Sequence, residues 1–475
     1  MKLKSLAAVC AMACASQAYA LAPSTTPDVT FFVSGSSALQ NMIGQVAKDM
    51  FQNGSTATTQ TDVFFDGTTA AASGSNYRAY FGLMKTDSSI PSSLQGKKVL
   101  ILETAKGGSI MGVNPVALGQ TVGSIDMTTC VMPTTAKVDS ATGISVYSCT
   151  GVQNRIPDAG VSDVEPADLE AAVNLPAGSS ALTSAQMSGL NQSVVLAQAM
   201  GIVVNGTTAQ GSTLPATTTM VSGLTKPQIA ALLTETTLDW NTVDPSVAAG
   251  SKSIVICRRQ AGSGTQAGIN AHILGAPCMT GNLGPATYGQ TTSTIGSTTA
   301  VAAGNVVVVE NSSSGNVASC MGYAQTGTGS QAIALNGGGL VAAGTANSVV
   351  LPANNYAIGV MGLDRPAKTG ELYQFASIDS VVPSVANAST GLYGVLVEST
   401  FNSLPSLSGT KLDLLTVFAS KAGNPAILGD PANTVPGVLA LSENGWAAST
   451  PFVSTNPVLK VGNFGNTCTP LQQLQ

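Results

Sequence analysis

Three short turns in the sequence bring together residue types that can hold an anion: Ser34-Gly35-Ser36-Ser37-Ala38, Gly107-Gly108-Ser109 and Gly262-Ser263-Gly264-Thr265. Each places glycine and hydroxyl residues where a helix would begin. The first amides of a helix have no intrahelical acceptor, and the helix dipole favours negative charge there. Ser and Thr hydroxyls add donors. The third turn follows Arg258-Arg259 in a chain with only 19 basic residues. A guanidinium presents a planar fork of donors that suits a tetrahedral oxyanion. Ordinary helix capping explains any one such turn. Three of them with an arginine pair favour anion capture. A P-loop is excluded, since no G-x-x-x-x-G-K-[ST] occurs.

Other chemistries have little to work with. His272 is the one histidine, placed inside an expected helix, and reads as structural. No nucleophile, base and metal constellation is visible, so the sequence does not read as an enzyme. No C-x-x-C occurs and no four ligands fall together, so neither a zinc site nor a cofactor is expected. The net charge is -5 with no basic run, which leaves nucleic acid without an electrostatic footprint. Charged residues are 9% of the chain against an average near 25%. The polar surface therefore consists mainly of hydroxyls and amides. With 44% hydrophobic residues over 475 positions, the chain can bury more than one core.

The elements that must position the turns alternate. Apolar β-type runs occur at 29–33, 98–102, 194–204 and 253–257. Helical spacing follows the first run at Leu39, Met42, Ile43 and Val46, and a helix is expected at about 265–274. A helix over 224–240 opens with Thr225 and Gln228 as a capping box and Pro227 in its first turn. This alternation predicts an α/β fold with largely parallel sheets. Tracts rich in Thr, Ser, Gly and Ala at 53–75, 119–153 and 280–350 lack helical periodicity and read as loops and added hairpins.

Residues 1–20 read as a signal peptide, with Lys2 and Lys4, a short apolar stretch and an A-x-A site at Ala18-Tyr19-Ala20. Its removal, which takes away Lys2 and Lys4, would move the net charge from -5 to -7. Six cysteines then remain: Cys130, Cys149, Cys257, Cys278, Cys320 and Cys468. An even count in an exported chain implies disulfides. Sequence proximity suggests Cys130 with Cys149 and Cys257 with Cys278, leaving Cys320 with Cys468.

The stretch LTKPQIAALLTETTLDW followed by SIVICRRQAGSGTQAGINAHIL resembles the phosphate-binding proteins of bacterial ABC importers. Residues 259–265 match that family's Arg-x-x-Gly-Ser-Gly-Thr without gaps. Further blocks follow in the family's order: FFVSGSSALQNMI, KGGSIMGV, Val161-Ser162-Asp163 with Pro166 and Leu169, QSVVLAQAMGIVVN, NYAIGVMGL and SIDSVVPSVANASTGLYGV. The resemblance spans about 29–440. It implies a two-lobed periplasmic binding protein-like fold of type II, with β and loop insertions near 45–97, 114–155 and 320–350. Lobe 1 would take 28–195 plus 395–475, and lobe 2 would take 205–393, with hinges near 195–205 and 391–396.

The resemblance also implies roles, residue by residue. Arg259 would be the cationic clamp. Ser263, Gly264 and Thr265 would supply amides and hydroxyls from the second lobe. Ser109 and the amides of Ser37, Ala38 and Leu39 would donate from the first. Asp163 would accept the proton of a hydrogenphosphate and thereby reject fully ionised sulfate; the alternative is an Asp that starts the turn before Pro166. Two positions depart from the family pattern. Ala38-Leu39 stand where it usually has Thr-Phe, and Ala261 stands where it commonly has an Asp that orients the clamp.

The expected function is capture of phosphate or a similar oxyanion by a periplasmic or secreted protein, with an ABC importer as the implied membrane partner. The alternative is a binding-protein fold reused as a surface or extracellular structural component, which the low charge and long insertions would suit.

Overall fold

The computed structural model describes residues 23–474 except 53–60, 68–75, 132–145, 206–222, 236–238, 246–247, 251–252, 282–283, 288, 291–294, 328–329, 369, 431–435, 442–451 and 465. The expected signal peptide at 1–20 lies outside the described residues, as do parts of the polar tracts.

The principal strands of two sheets are β1 (Val29–Gly35), β2 (Asp62–Asp66), β3 (Tyr77–Leu83), β4 (Lys98–Thr104), β5 (Val146–Cys149), β6 (Ala159–Ser162), β7 (Asn191–Val204), β8 (Ile254–Arg259), β9 (Val306–Asn311), β10 (Tyr356–Gly362), β11 (Leu396–Ser403) and β12 (Val438–Leu441). The helices that pack on these strands or open at their ends include α1 (Gln40–Met50), α2 (Lys226–Leu233), α3 (Gly264–Ile269), α4 (Ser314–Thr326) and α5 (Gly409–Ala422). The first sheet runs β5-β2-β3-β4-β1-β6-β11-β7-β12. The second runs β7-β10-β8-β9. Strand β7 belongs to both. Its residues 191–199 pair with β11, and its residues 200–204 pair with β10.

The apolar runs explain the layering. In β8, Ile254 and Ile256 face one core with α2 and Trp240, while Val255 and Cys257 face another with α4. A strand covered on both faces needs a continuous apolar sequence, and SIVIC supplies it. Trp240 stacks on Tyr356 at a centroid distance of 5.1 Å. In the first sheet, Phe31 and Val33 of β1 pack with α1 and α5. The Thr225–Gln228 capping box forms, but α2 ends at Leu233, well short of residue 240.

Three expectations need correction. The sheets are mixed rather than largely parallel, because β3, β7 and β11 each run antiparallel to their neighbours. The tract 280–350 is not all loop and hairpin. It contains β9 of the second sheet and the 13-residue helix α4, whose inward stripe of Val317, Ala318, Cys320, Met321 and Ala324 is too small and weakly apolar to stand out in an Ala-rich sequence. The disulfides are Cys130–Cys149, Cys257–Cys320 and Cys278–Cys468. Cys257 points to the α4 face of its sheet, whereas the chain leading to Cys278 packs on the other face through Ile269 and Leu274. A Cys257–Cys278 bridge would have to pass through the sheet.

Cys278–Cys468 spans 190 residues and ties the segment after α3 to the C-terminal tail. Replacing both cysteines with serine should cost about 2–5 kcal/mol of stability. A lower unfolding midpoint is the expected result; an unchanged midpoint would contradict the pairing.

Glu103 of β4 is 2% exposed, and neither carboxylate oxygen has a hydrogen-bond partner among the described residues. Burial raises its pKa from 4.5 to about 8, against the opposing field of its cross-strand neighbour Arg78. The folded state therefore holds a proton that the unfolded chain has released. Its contribution to stability is complete below 4.5, declines as pH rises from there, and is lost once pH passes about 8. Asp62, Glu165 and Asp364 titrate in the same direction. Glu103→Gln should flatten, without abolishing, the fall in thermal midpoint between mildly acidic and mildly alkaline buffers. An unchanged pH slope would show that Glu103 is ionised throughout.

Candidate functional site

The turn after β1 is fixed by close backbone packing. Gly35 has φ 130°, and a Cβ there would lie 1.9 Å from the Val161 carbonyl oxygen, so only glycine fits. Ser36 N–H donates to that carbonyl at 3.0 Å, and the Ser34 hydroxyl donates to Met111 O at 2.7 Å. These contacts hold the C-terminal ends of β1 and β6 against the short 3-10 turn Ser109–Gly112.

Asp163 follows β6 and is 2% exposed. The hydroxyls of Ser36 and Thr265 both donate to its carboxylate, the latter at 3.3 Å, and its own N–H donates to Ser109 Oγ at 3.2 Å. Burial raises its pKa; the Ser36 hydroxyl, the Arg259 charge and the hydroxyls of Ser109 and Thr265 oppose that rise.

Arg259 ends β8 and is 1% exposed. Its guanidinium donates from Nε to Asn311 O at 3.2 Å, from Nη1 to Ser314 Oγ at 3.3 Å, and from Nη2 to Ser312 O at 3.2 Å and Ser37 Oγ at 3.1 Å. Burial lowers its pKa to about 10, with Asp163 and Asp364 pulling the other way, so it is charged at neutral pH. Arg258 turns elsewhere. It donates to Ala286 O at 2.5 Å and Arg259 O at 2.8 Å, and pairs with Glu310.

Two of these contacts cross from the second sheet to the first. Arg259 reaches Ser37, and Thr265 reaches Asp163. The backbones also meet, since Ile110 N–H donates to Gly262 O at 2.9 Å. A Cβ on Gly108 would lie 2.9 Å from that same oxygen. The arrangement sets one guanidinium, several hydroxyls and the starts of α1, α3 and α4 around one buried carboxylate. Such a set can bind a compact anion that also carries a proton.

Of the residues singled out in the sequence, Ser37, Ser109, Asp163, Arg259, Gly264 and Thr265 lie together. Ser263 caps α3 by accepting from Gln266 N–H. Ala38 N–H donates to Ser36 Oγ at 3.1 Å, while the Leu39 side chain lies in the first-sheet core. His272 is half-buried, desolvation pushes its pKa down to about 4, and its Nε2 lies 2.7 Å from Leu396 O.

Sequence reasoning named the turn that holds Ser36 without giving that residue a role, and it missed Gln198, Ser312, Ser314 and Asp364. A signal existed for two of them. Ser312-Ser313-Ser314-Gly315 follows β9 and opens α4, repeating the Ser/Gly signature of the other turns. Gln198 and Asp364 carry no local signal, because they become neighbours only where β7 meets β10. Among the described residues, no group of three or more His, Cys, Asp or Glu could hold a metal ion.

No family model and no curated protein matches the chain. Solved structures that resemble it include a putative phosphate ABC transporter substrate-binding protein with bound phosphate from Clostridium perfringens, at 11% identity and a TM-score of 0.41, covering 85% of this chain and 94% of that one. An ABC-type phosphate transport receptor from Vibrio cholerae aligns at 11% identity and a TM-score of 0.36, covering 82% and 93%. A DING protein aligns at 15% identity and a TM-score of 0.35, covering 64% and 84%. At these scores the likenesses carry no argument about residues, and the chemistry rests on the geometry of the turns themselves.

Gly264 tests that geometry. A Cβ there would lie 2.5 Å from Ser109 Oγ and 2.7 Å from Asp163 Cβ. Gly→Ala within a helix ordinarily stabilises by up to about 1 kcal/mol. Here the added methyl should instead destabilise by about 1–3 kcal/mol through overpacking. A Gly264→Ala protein with a raised unfolding midpoint would contradict the close approach.

Proposed function

We propose that the protein captures phosphate, or a similar tetrahedral oxyanion, between two lobes. The lobes would be 28–195 with 395–475, and 205–393. They would move about β7 and the return of the chain into β11. The observation that carries this reading is the pair of crossing contacts, Arg259 to Ser37 and Thr265 to Asp163. An entering oxyanion would take the donors of Arg259, Thr265 and Ser37 and give its proton to Asp163. Hydrogenphosphate can do this and sulfate cannot, since an unprotonated anion beside a buried carboxylate is repelled. The ligand-binding set is Ser37, Ala38, Leu39, Ser109, Asp163, Arg259, Ser263, Gly264 and Thr265. In this reading the site is one of binding, not of catalysis.

Three disulfides support an oxidising compartment and hence export to a periplasm or cell exterior. Among the described residues, no helix is long and apolar enough to cross a membrane. Delivery to an ABC importer is the transport role that fits such a protein. Reuse of the fold as a structural component is the second reading, favoured by a chain in which only 9% of residues are charged.

Calorimetric titration of the purified mature protein with phosphate and with sulfate separates the readings. Phosphate should bind and sulfate should not. Arg259→Lys keeps the charge but loses the fork, and Arg259→Ala loses both. The alanine variant gives up a charge-assisted contact of about 1.5–3 kcal/mol, a loss in affinity of roughly tenfold to a hundredfold. Absence of phosphate binding at millimolar concentration would favour the structural reading.

A further inference from the structure

Asp364, the second residue after β10, is 6% exposed and has no part in the set of oxyanion ligands proposed for the cleft. Its carboxylate accepts from Gln198 Nε2 at 3.2 Å, and the same amide nitrogen donates to Ala38 O at 3.1 Å. Gln198 thus links Asp364 to the turn whose Ser37 accepts from Arg259. Gly362 leaves room for this arrangement, because a Cβ there would lie 2.2 Å from Asp364 Oδ1. The other end of the amide, Gln198 Oε1, is buried without a partner among the described residues. Two buried carboxylates, Asp163 and Asp364, and an orphaned amide oxygen therefore share the surroundings of the Arg259 guanidinium. That amide oxygen lacks a donor. A ligand made only of acceptor oxygens would leave it so and would face two carboxylates, whereas one bearing O–H groups would supply donors.

We infer that Asp364 is a second proton-sharing carboxyl group of the oxyanion site, so that the site reads two protons through Asp163 and Asp364 rather than one. This rests on the phosphate reading and deepens it. With hydrogenphosphate bound, one proton lies between the ligand and Asp163 and a second lies between the ligand and Asp364. It is immaterial whether the second proton arrives on Asp364 or on a dihydrogenphosphate.

The charged and titratable groups around Asp364 are Asp163, Arg259, Arg365 and Tyr373. Arg365 is paired with Glu371 at 2.7 Å. Burial first, and then the Asp163 charge, raise the Asp364 pKa to about 8, while Arg259 and Arg365 oppose the rise. Below that pH the free protein already holds the second proton. Above it, binding must take the proton from solvent, and affinity falls as pH rises.

The test is calorimetry with inorganic phosphate and with sulfate, in buffers of different ionisation enthalpy, at about pH 7 and about pH 9. At the higher pH phosphate is already the dianion and supplies no second proton. Wild-type protein should take up close to one proton on binding phosphate there, and its affinity should fall roughly tenfold per pH unit. Asp364→Asn should take up none and lose that pH dependence. Sulfate should be rejected by Asp364→Asn, whose Asp163 still faces the anion, and bound by Asp163→Asn at about pH 7, where Asp364 already holds its proton, and more weakly at about pH 9. If Asp364→Asn does not fold, proton uptake by the wild-type protein decides alone. Phosphate binding with no uptake at about pH 9 overturns this inference and leaves the phosphate reading standing. So does sulfate binding by Asp163→Asn that is no weaker at about pH 9 than at about pH 7. Absence of phosphate binding at every pH overturns both.

Discussion

The guanidinium of Arg259 is buried to 1% exposure in a chain of which only 9% of residues are charged. A cation removed from water needs its donors filled and a counter-charge nearby. Asn311 O, Ser312 O, Ser314 Oγ and Ser37 Oγ take the donors, and Asp163 and Asp364 supply the field. Those partners come from the end of β9, the start of α4, the turn after β1, the turn after β6 and the residues after β10. Keeping Arg259 ionised therefore fixes the ends of all these elements relative to one another.

The two sheets can meet this demand because they share β7 and because glycine lets their turns approach. Gly35, Gly108 and Gly262 all have positive φ, and a side chain on Gly35 or Gly108 would strike backbone from a neighbouring turn. Low overall charge is compatible with an anion site built in this way. Helix starts and hydroxyls provide local positive potential without net protein charge, so a chain at -5 can still hold an anion. In the proposed reading the buried carboxylates would limit which anion that is, since each would require a proton from the anion or from solvent.

Much of this was legible in the sequence because the informative signals were local. The runs at 29–33 and 253–257 have no structure to choose but strands buried on both faces, and the Thr225–Gln228 box marks a helix start by itself. Ser37, Arg259 and Thr265 sit in turns whose composition announces an open helix end. Long-range facts were not legible. The face of β8 on which Cys257 lies determines its disulfide partner, and that face emerges only once α4 is packed. Helix α4 itself was hidden by small residues that stabilise a packed helix yet give weak periodicity. Asp364 and Gln198 are 166 positions apart in the chain and meet only through the pairing of β7 with β10.

The central claim is that Arg259, Ser37, Thr265 and Asp163 surround one oxyanion. Anomalous diffraction from crystals of the protein grown with arsenate locates that anion directly. The account predicts a single strong arsenic peak with its oxygens within hydrogen-bond distance of the Arg259 guanidinium and the Thr265 hydroxyl, and one oxygen facing the Asp163 carboxylate. A peak at a different place, or crystals with no arsenic at these four residues despite saturating anion, would contradict it.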